Sequence, residues 1–68
     1  MEEKYGIYVI GSFDNGSEYC HLHEQTDTLE KAEAIATKLK ASLQPWEFDA
    51  VGIYDNEERK WVERIEKE

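Results

Sequence analysis

One dipeptide constrains this fold more than any other feature. Asn15-Gly16 follows "YGIYVIGSF" (Tyr5 to Phe13), a run rich in β-branched and aromatic residues, and precedes "EYCHLHEQ" (Glu18 to Gln25), the returning segment. Runs of that composition read as strands. An Asn-Gly pair between them is the strongest short-range signal for a hairpin, because both residues tolerate the positive φ of a tight turn. The first half of the chain therefore reads as two antiparallel strands.

The pattern changes after Gln25. In "TDTLEKAEAIATKLKASL", Leu29, Ala32, Ile35, Ala36, Leu39 and Leu43 recur at helical spacing. Asp27 or Thr28 can cap the first turn, with Glu30 completing a capping box if Asp27 is the cap. Glu30 and Glu33 suit the positive end of the helix dipole, and Lys38 and Lys40 suit the negative end. Pro45 ends the helix, and "SLQPWE" connects it onward. "FDAVGIYD" (Phe48 to Asp55) reads as a third strand, "NEER" as a polar turn and "KWVERIE" (Lys60 to Glu66) as a fourth. The expected fold is α+β: ββαββ, a four-stranded antiparallel sheet of two hairpins with one helix on one face, residues 1–68 forming a single domain.

If Asn15 and Gly16 are the whole loop, Val9 falls opposite Leu22, Gly11 opposite Cys20, Ile10 opposite His21 and Tyr8 opposite His23. Directly opposed residues share a face. Ile7, Val9, Cys20 and Leu22 would then face the helix, joined by Val51 and Ile53, with Val62 opposite Ile53 across a four-residue second loop. Tyr8, Ile10, Tyr19, His21, His23, Tyr54 and Trp61 would form the uncovered face. A slip of one residue would exchange the faces. Trp46 is expected to close the helix end against the sheet.

A contiguous aromatic patch on an uncovered sheet face marks an interaction site, and Tyr and Trp are enriched at binding hot spots. Glu18, Asp55, Glu57 and Glu58 are read as its acidic rim. The chain holds 8 Lys and Arg against 16 Asp and Glu, a formal net charge of −8. That balance lacks the basic footprint needed to displace counterions from phosphates, so it argues against direct nucleic-acid binding. It also argues against an anionic membrane surface. A protein partner with a basic surface fits the field instead.

Cys20 is the only cysteine, so neither an internal disulfide nor a Cys-rich zinc site can form. A chain this short has little core, and self-association is one way to supplement it, so a homodimer through the open face is also expected. The lone thiol, with no apolar signal segment after Met1 and no run of the length of a membrane span, suggests the cytoplasm. Met1 to Lys4 is a charged lead-in, and the run "DNEER" and the tail "ERIEKE" read as solvated charges.

The octapeptide "EYCHLHEQ" concentrates the polar chemistry. His21 and His23, two apart on a strand, point to one side as in real metal sites. Only two ligands come from that side, however, so a metal would need a symmetric dimer. His21 points away from Cys20, and the thiol reads as a small buried hydrophobe. "VIGSFDNGS" has no following helix and no lysine, so it is not a phosphate loop. Neither enzymatic activity nor a cofactor is expected.

Two function classes follow. The first is a non-enzymatic binding module. Its specific form is nucleic-acid mimicry, with Asp14, Glu18, Glu24, Asp27, Glu30, Asp55, Glu57, Glu58, Glu63 and Glu66 standing in for phosphates. In size, charge and ββαββ layout the chain resembles the small acidic proteins that phages and mobile elements use against host nucleic-acid machinery, anti-CRISPR inhibitors among them. The resemblance covers no motif, so it assigns no residue a role. The second class is a homodimeric structural or accessory domain, and a small metal-binding protein using His21 and His23 is a further alternative.

Overall fold

The structure is a computed structural model and describes residues 3–66; Met1 and Glu2 of the lead-in and Lys67 and Glu68 of the tail lie outside the described residues. The elements are β1 (Tyr5–Ser12), β2 (Glu18–Thr26), α1 (Leu29–Ser42), β3 (Ala50–Asp55) and β4 (Lys60–Glu66). The four strands make one antiparallel sheet in the order β2-β1-β3-β4. The ββαββ order and the single helix agree with the sequence reading. The most apolar strands, β1 and β3, lie side by side in the middle, with Ile7 opposite Ile53 and Val9 opposite Val51. Their charged partners take the two edges. The helix runs back along the sheet, and the chain re-enters it where the Asp49 amide donates to the Ile10 carbonyl at 2.7 Å.

Burial of apolar surface fixes the helix on one face. Ala32, Ala36 and Leu39 pack on Ile7, Val51 and Ile53, with Phe48 closing the end; Tyr5, Val9, Leu29, Ile35, Leu43 and Ile65 border this core. Thr28, not Asp27, is the N-cap: its side chain accepts from the Lys31 amide at 3.2 Å. Asp27 instead pairs with Lys31 across one turn of helix at 3.6 Å.

The first loop differs from expectation. The Phe13 amide donates to the Ser17 carbonyl at 2.8 Å and the Gly16 amide to the Phe13 carbonyl at 2.9 Å. Gly16 has φ +92°, and Asn15 is not among the positive-φ residues. This is a three-residue loop, Asp14–Gly16, in which an ordinary turn is followed by a left-handed glycine. Asn15 supports it from its side chain, which accepts from the Ser17 amide at 3.0 Å and hydroxyl at 2.7 Å.

One extra loop residue moves the register by one and exchanges the faces of β2. Gly11 lies opposite Tyr19, Ile10 opposite Cys20, Val9 opposite His21 and Tyr8 opposite Leu22. Cys20 and Leu22 therefore face away from the helix, and Tyr19 and His21 lie on the helix side, the reverse of the expected assignment. A bulge at His23 then restores the expected sum, with Ile7 opposite Glu24.

The second hairpin has the expected four-residue loop, and Tyr54 stands opposite Trp61 as read. A bulge beyond them places Glu63, not Val62, opposite Ile53. Trp46 does not close the core. It is 81% exposed, because the turn in which the Glu47 amide bonds the Gln44 carbonyl at 2.9 Å carries it at the tip. Phe48 takes the buried place.

Candidate functional site

No helix covers the second face of the sheet, and a cluster of aromatic side chains occupies it. Tyr8 on β1, Tyr54 on β3 and Trp61 on β4 meet edge-on, with ring centroids 5.4 Å (Tyr8–Trp61), 5.1 Å (Tyr54–Trp61) and 6.3 Å (Tyr8–Tyr54) apart. Such tilted contacts add to the area each ring buries. The six-membered ring of the indole sits over Gly52, where a Cβ would come within 2.7 Å of it, so any other residue there would displace the ring. Ile10 is buried beside it, on the same face as Ala50. Trp61 itself is 45% exposed, and Leu22 on β2 is 41% exposed. Tyr8 and Tyr54 are half-buried.

Arg64 reaches over this face. Its guanidinium holds Glu66 at 2.9 Å and Glu18 of the opposite edge strand at 3.1 Å. The clasp, with Ile10, Cys20 and Trp61, surrounds a cavity of about 190 Å³. That is below the roughly 300 Å³ where sites for drug-sized molecules begin. The face suits contact with a surface better than capture of a small ligand.

The β3–β4 turn at one end of the cluster is built by Asp55. This buried carboxylate accepts from the Glu57 and Glu58 amides, each at 2.9 Å. The Arg59 amide returns to the Asp55 carbonyl at 2.7 Å, with Arg59 at φ 57°. The amide of Glu58, then that of Glu57 and the cations Lys4 and Lys60, hold the Asp55 carboxyl below its usual range against the opposing effect of burial. Asp55 is therefore occupied in shaping the turn. Glu57 and Glu58 are exposed, Glu58 pairing with Lys60 at 3.1 Å.

The expected site residues thus divide. Tyr8, Ile10, Tyr54 and Trp61 share the open face, with Glu18 at its border. Tyr19 and His21 lie on the helix side, where Tyr19 packs on Phe13 with centroids 4.9 Å apart. His21 borders a shallow groove with Phe13, Asp14 and Tyr19. His23, the bulge residue, borders a different groove of about 420 Å³ with Glu24, Ile35 and Lys38. The two imidazoles therefore do not share surroundings. Among the described residues no three His, Cys, Asp or Glu side chains gather as a metal would require. Cys20 is exposed on the open face and is not a core residue.

Arg64, Leu22 and Cys20 are open-face residues that the sequence reading missed, Arg64 because of the bulge near Val62 and the other two because of the first loop. The signal for that loop was present in Asp14-Asn15-Gly16, which fits a three-residue loop as well as Asn15-Gly16 fits a two-residue one. Among the described residues no helix is long and apolar enough to cross a membrane. Compared with protein-family models, curated proteins and solved structures, the chain matches none.

Proposed function

We propose that this protein is a small, non-enzymatic binding module that engages a basic protein surface through the open face of its sheet. One observation carries the reading: a half-exposed tryptophan, braced by two tyrosines, shares with an exposed leucine a face that no element covers. Aromatic anchors ringed by polar groups are the usual anatomy of a binding hot spot. The net charge of −8 selects a cationic partner and steers its approach.

In its specific form the partner is a protein that normally holds nucleic acid, and the chain occupies it in the manner of the phage-type inhibitors it resembles. Glu57 and Glu58 at the turn end and Glu18 and Glu66 at the other supply carboxylates around the aromatic centre. Glu24, Asp27 and Glu30 extend the charge past the sheet edge, and Asp14 extends it at the hairpin tip. No catalytic step and no cofactor belong to this reading.

The test is affinity capture from host-cell extract with the wild-type protein and Trp61→Ala side by side. A basic protein retained by the wild type, lost with Trp61→Ala and released by added DNA or salt supports the proposal. A partner retained equally by both proteins, or indifferent to salt and to nucleic acid, contradicts it.

A further inference from the structure

The two edges of the sheet are unequal. β4 is guarded in the ways that edges usually are, with Lys60, Glu63, Arg64 and Glu66 along it and a bulge midway. β2 is not. Every residue from Glu18 to Gln25 is exposed. Its ladder to β1 is regular from Glu18 to Leu22, breaking only at the bulge after it. No lysine, arginine or proline lies in it, and Tyr19 to His23 carries no Asp, Glu, Lys or Arg. An acidic chain thus presents one unpaired strand edge whose middle, Tyr19 to His23, is free of carboxylates and of Lys and Arg.

We infer that this edge pairs with the same edge of a second copy, joining two four-stranded sheets into one. The charge pattern selects that occupant. Two copies of so acidic a chain repel over most of their surface, and Tyr19 to His23 is the stretch of edge where they meet without like charges. A basic strand, in contrast, would find no carboxylate there to pair with.

The regular stretch also sets the register, since its midpoint is Cys20. An antiparallel seam with its two-fold axis through Cys20 places Cys20 opposite Cys20, Tyr19 opposite His21 and Glu18 opposite Leu22 of the second copy. Each of these pairs shares a face of the sheet, as antiparallel partners must. Glu18 enters the seam with its charge already held by Arg64, and Leu22 gains cover. The seam is short, so the dimer forms in a concentration-dependent manner. It leaves the Tyr8, Tyr54 and Trp61 cluster of each copy free, and it stands independently of the partner-binding proposal.

Light scattering coupled to size exclusion tests it on the intact chain. The wild type and Trp61→Ala are both expected to approach twice the 8.0 kDa chain mass as concentration rises. A short bis-maleimide is expected to link Cys20 to Cys20 of the second copy, whatever the variants do. Cys20→Asp and Cys20→Lys, each placing like charges directly opposite, are expected to lose the dimer with unchanged far-ultraviolet dichroism. Mixed in equal amounts they are expected to regain it, which only a residue on the axis allows. A wild type that stays monomeric and uncrosslinked, single variants that still dimerise, or a mixture that stays monomeric would each overturn the inference. Loss of the dimer in Trp61→Ala would overturn it too, by placing association on the open face.

Discussion

Gly16 decides which side chains the open face displays. Its left-handed φ closes a three-residue loop, and nothing lies within 4 Å of the place a Cβ would take. Strain is then the whole cost of a side chain there. Gly16→Ala is expected to lower stability by about 1 kcal/mol, measured by urea unfolding, without a change in packing. At Gly52 the cost is steric. Gly52→Ala is expected to push Trp61 off the sheet, seen as a red shift of tryptophan emission with a smaller loss of stability. Both glycines are plain in the sequence, but their roles were not equally legible. Residue types point to a turn at Gly16, yet Asp14-Asn15-Gly16 permits loops of two lengths that differ only in backbone angles. The close approach at Gly52 depends on a ring nine residues away on another strand.

The elements were legible because each carries its own period and stop signals. The helix stripe from Leu29 to Leu43 and the alternation from Tyr5 to Phe13 are local patterns, and the structure has the corresponding elements at those places. Bulges were not legible, since no residue type marks the extra residue at His23 or near Val62. Tyr54 and Trp61 lie between the second turn and its bulge and so keep the expected face, as do Tyr8 and Ile10 on β1, whereas the longer first loop turns Tyr19 and His21 to the helix side and His23 is itself the extra residue. Thr28→Ala removes the one side-chain cap of α1 and is expected to cost about 1 kcal/mol in urea unfolding. Ile53, fully buried between helix and sheet, gives a larger effect. Ile53→Ala is expected to cost about 2–5 kcal/mol, much of what a domain of this size has. It is expected to appear as a largely unfolded dichroism spectrum at neutral pH.

Over the whole molecule, an excess of carboxylates makes stability depend on pH through two groups with opposite signs. The Asp55 carboxyl is held below its unfolded value chiefly by the Glu58 amide. Its contribution is present above the unfolded pKa of about 3.9 and is lost as pH falls through the folded value. Glu63 is raised above its ordinary 4.5, first by burial and then by sharing a hydrogen bond with Glu33 of α1. Its contribution is complete below 4.5 and is lost as pH rises through the folded value. Asp55→Asn is therefore expected to destabilise the protein at neutral pH and to flatten the acid limb of the stability curve. Glu63→Gln is expected to raise the unfolding midpoint at neutral pH and to leave it unchanged near pH 3. Unfolding curves across that range check both signs. The same molecule presents one aromatic face to solvent, and it is this face, and not the helix side, that is proposed to meet the partner. The most direct measurement places a bulky maleimide label on either face in a Cys20→Ser background, at Tyr54→Cys on the open side or at Lys38→Cys on the helix, and compares capture of the basic partner. The expected result is loss of capture with the label at position 54 and full capture with the label at position 38; the reverse pattern, with both proteins folded, would contradict the claim.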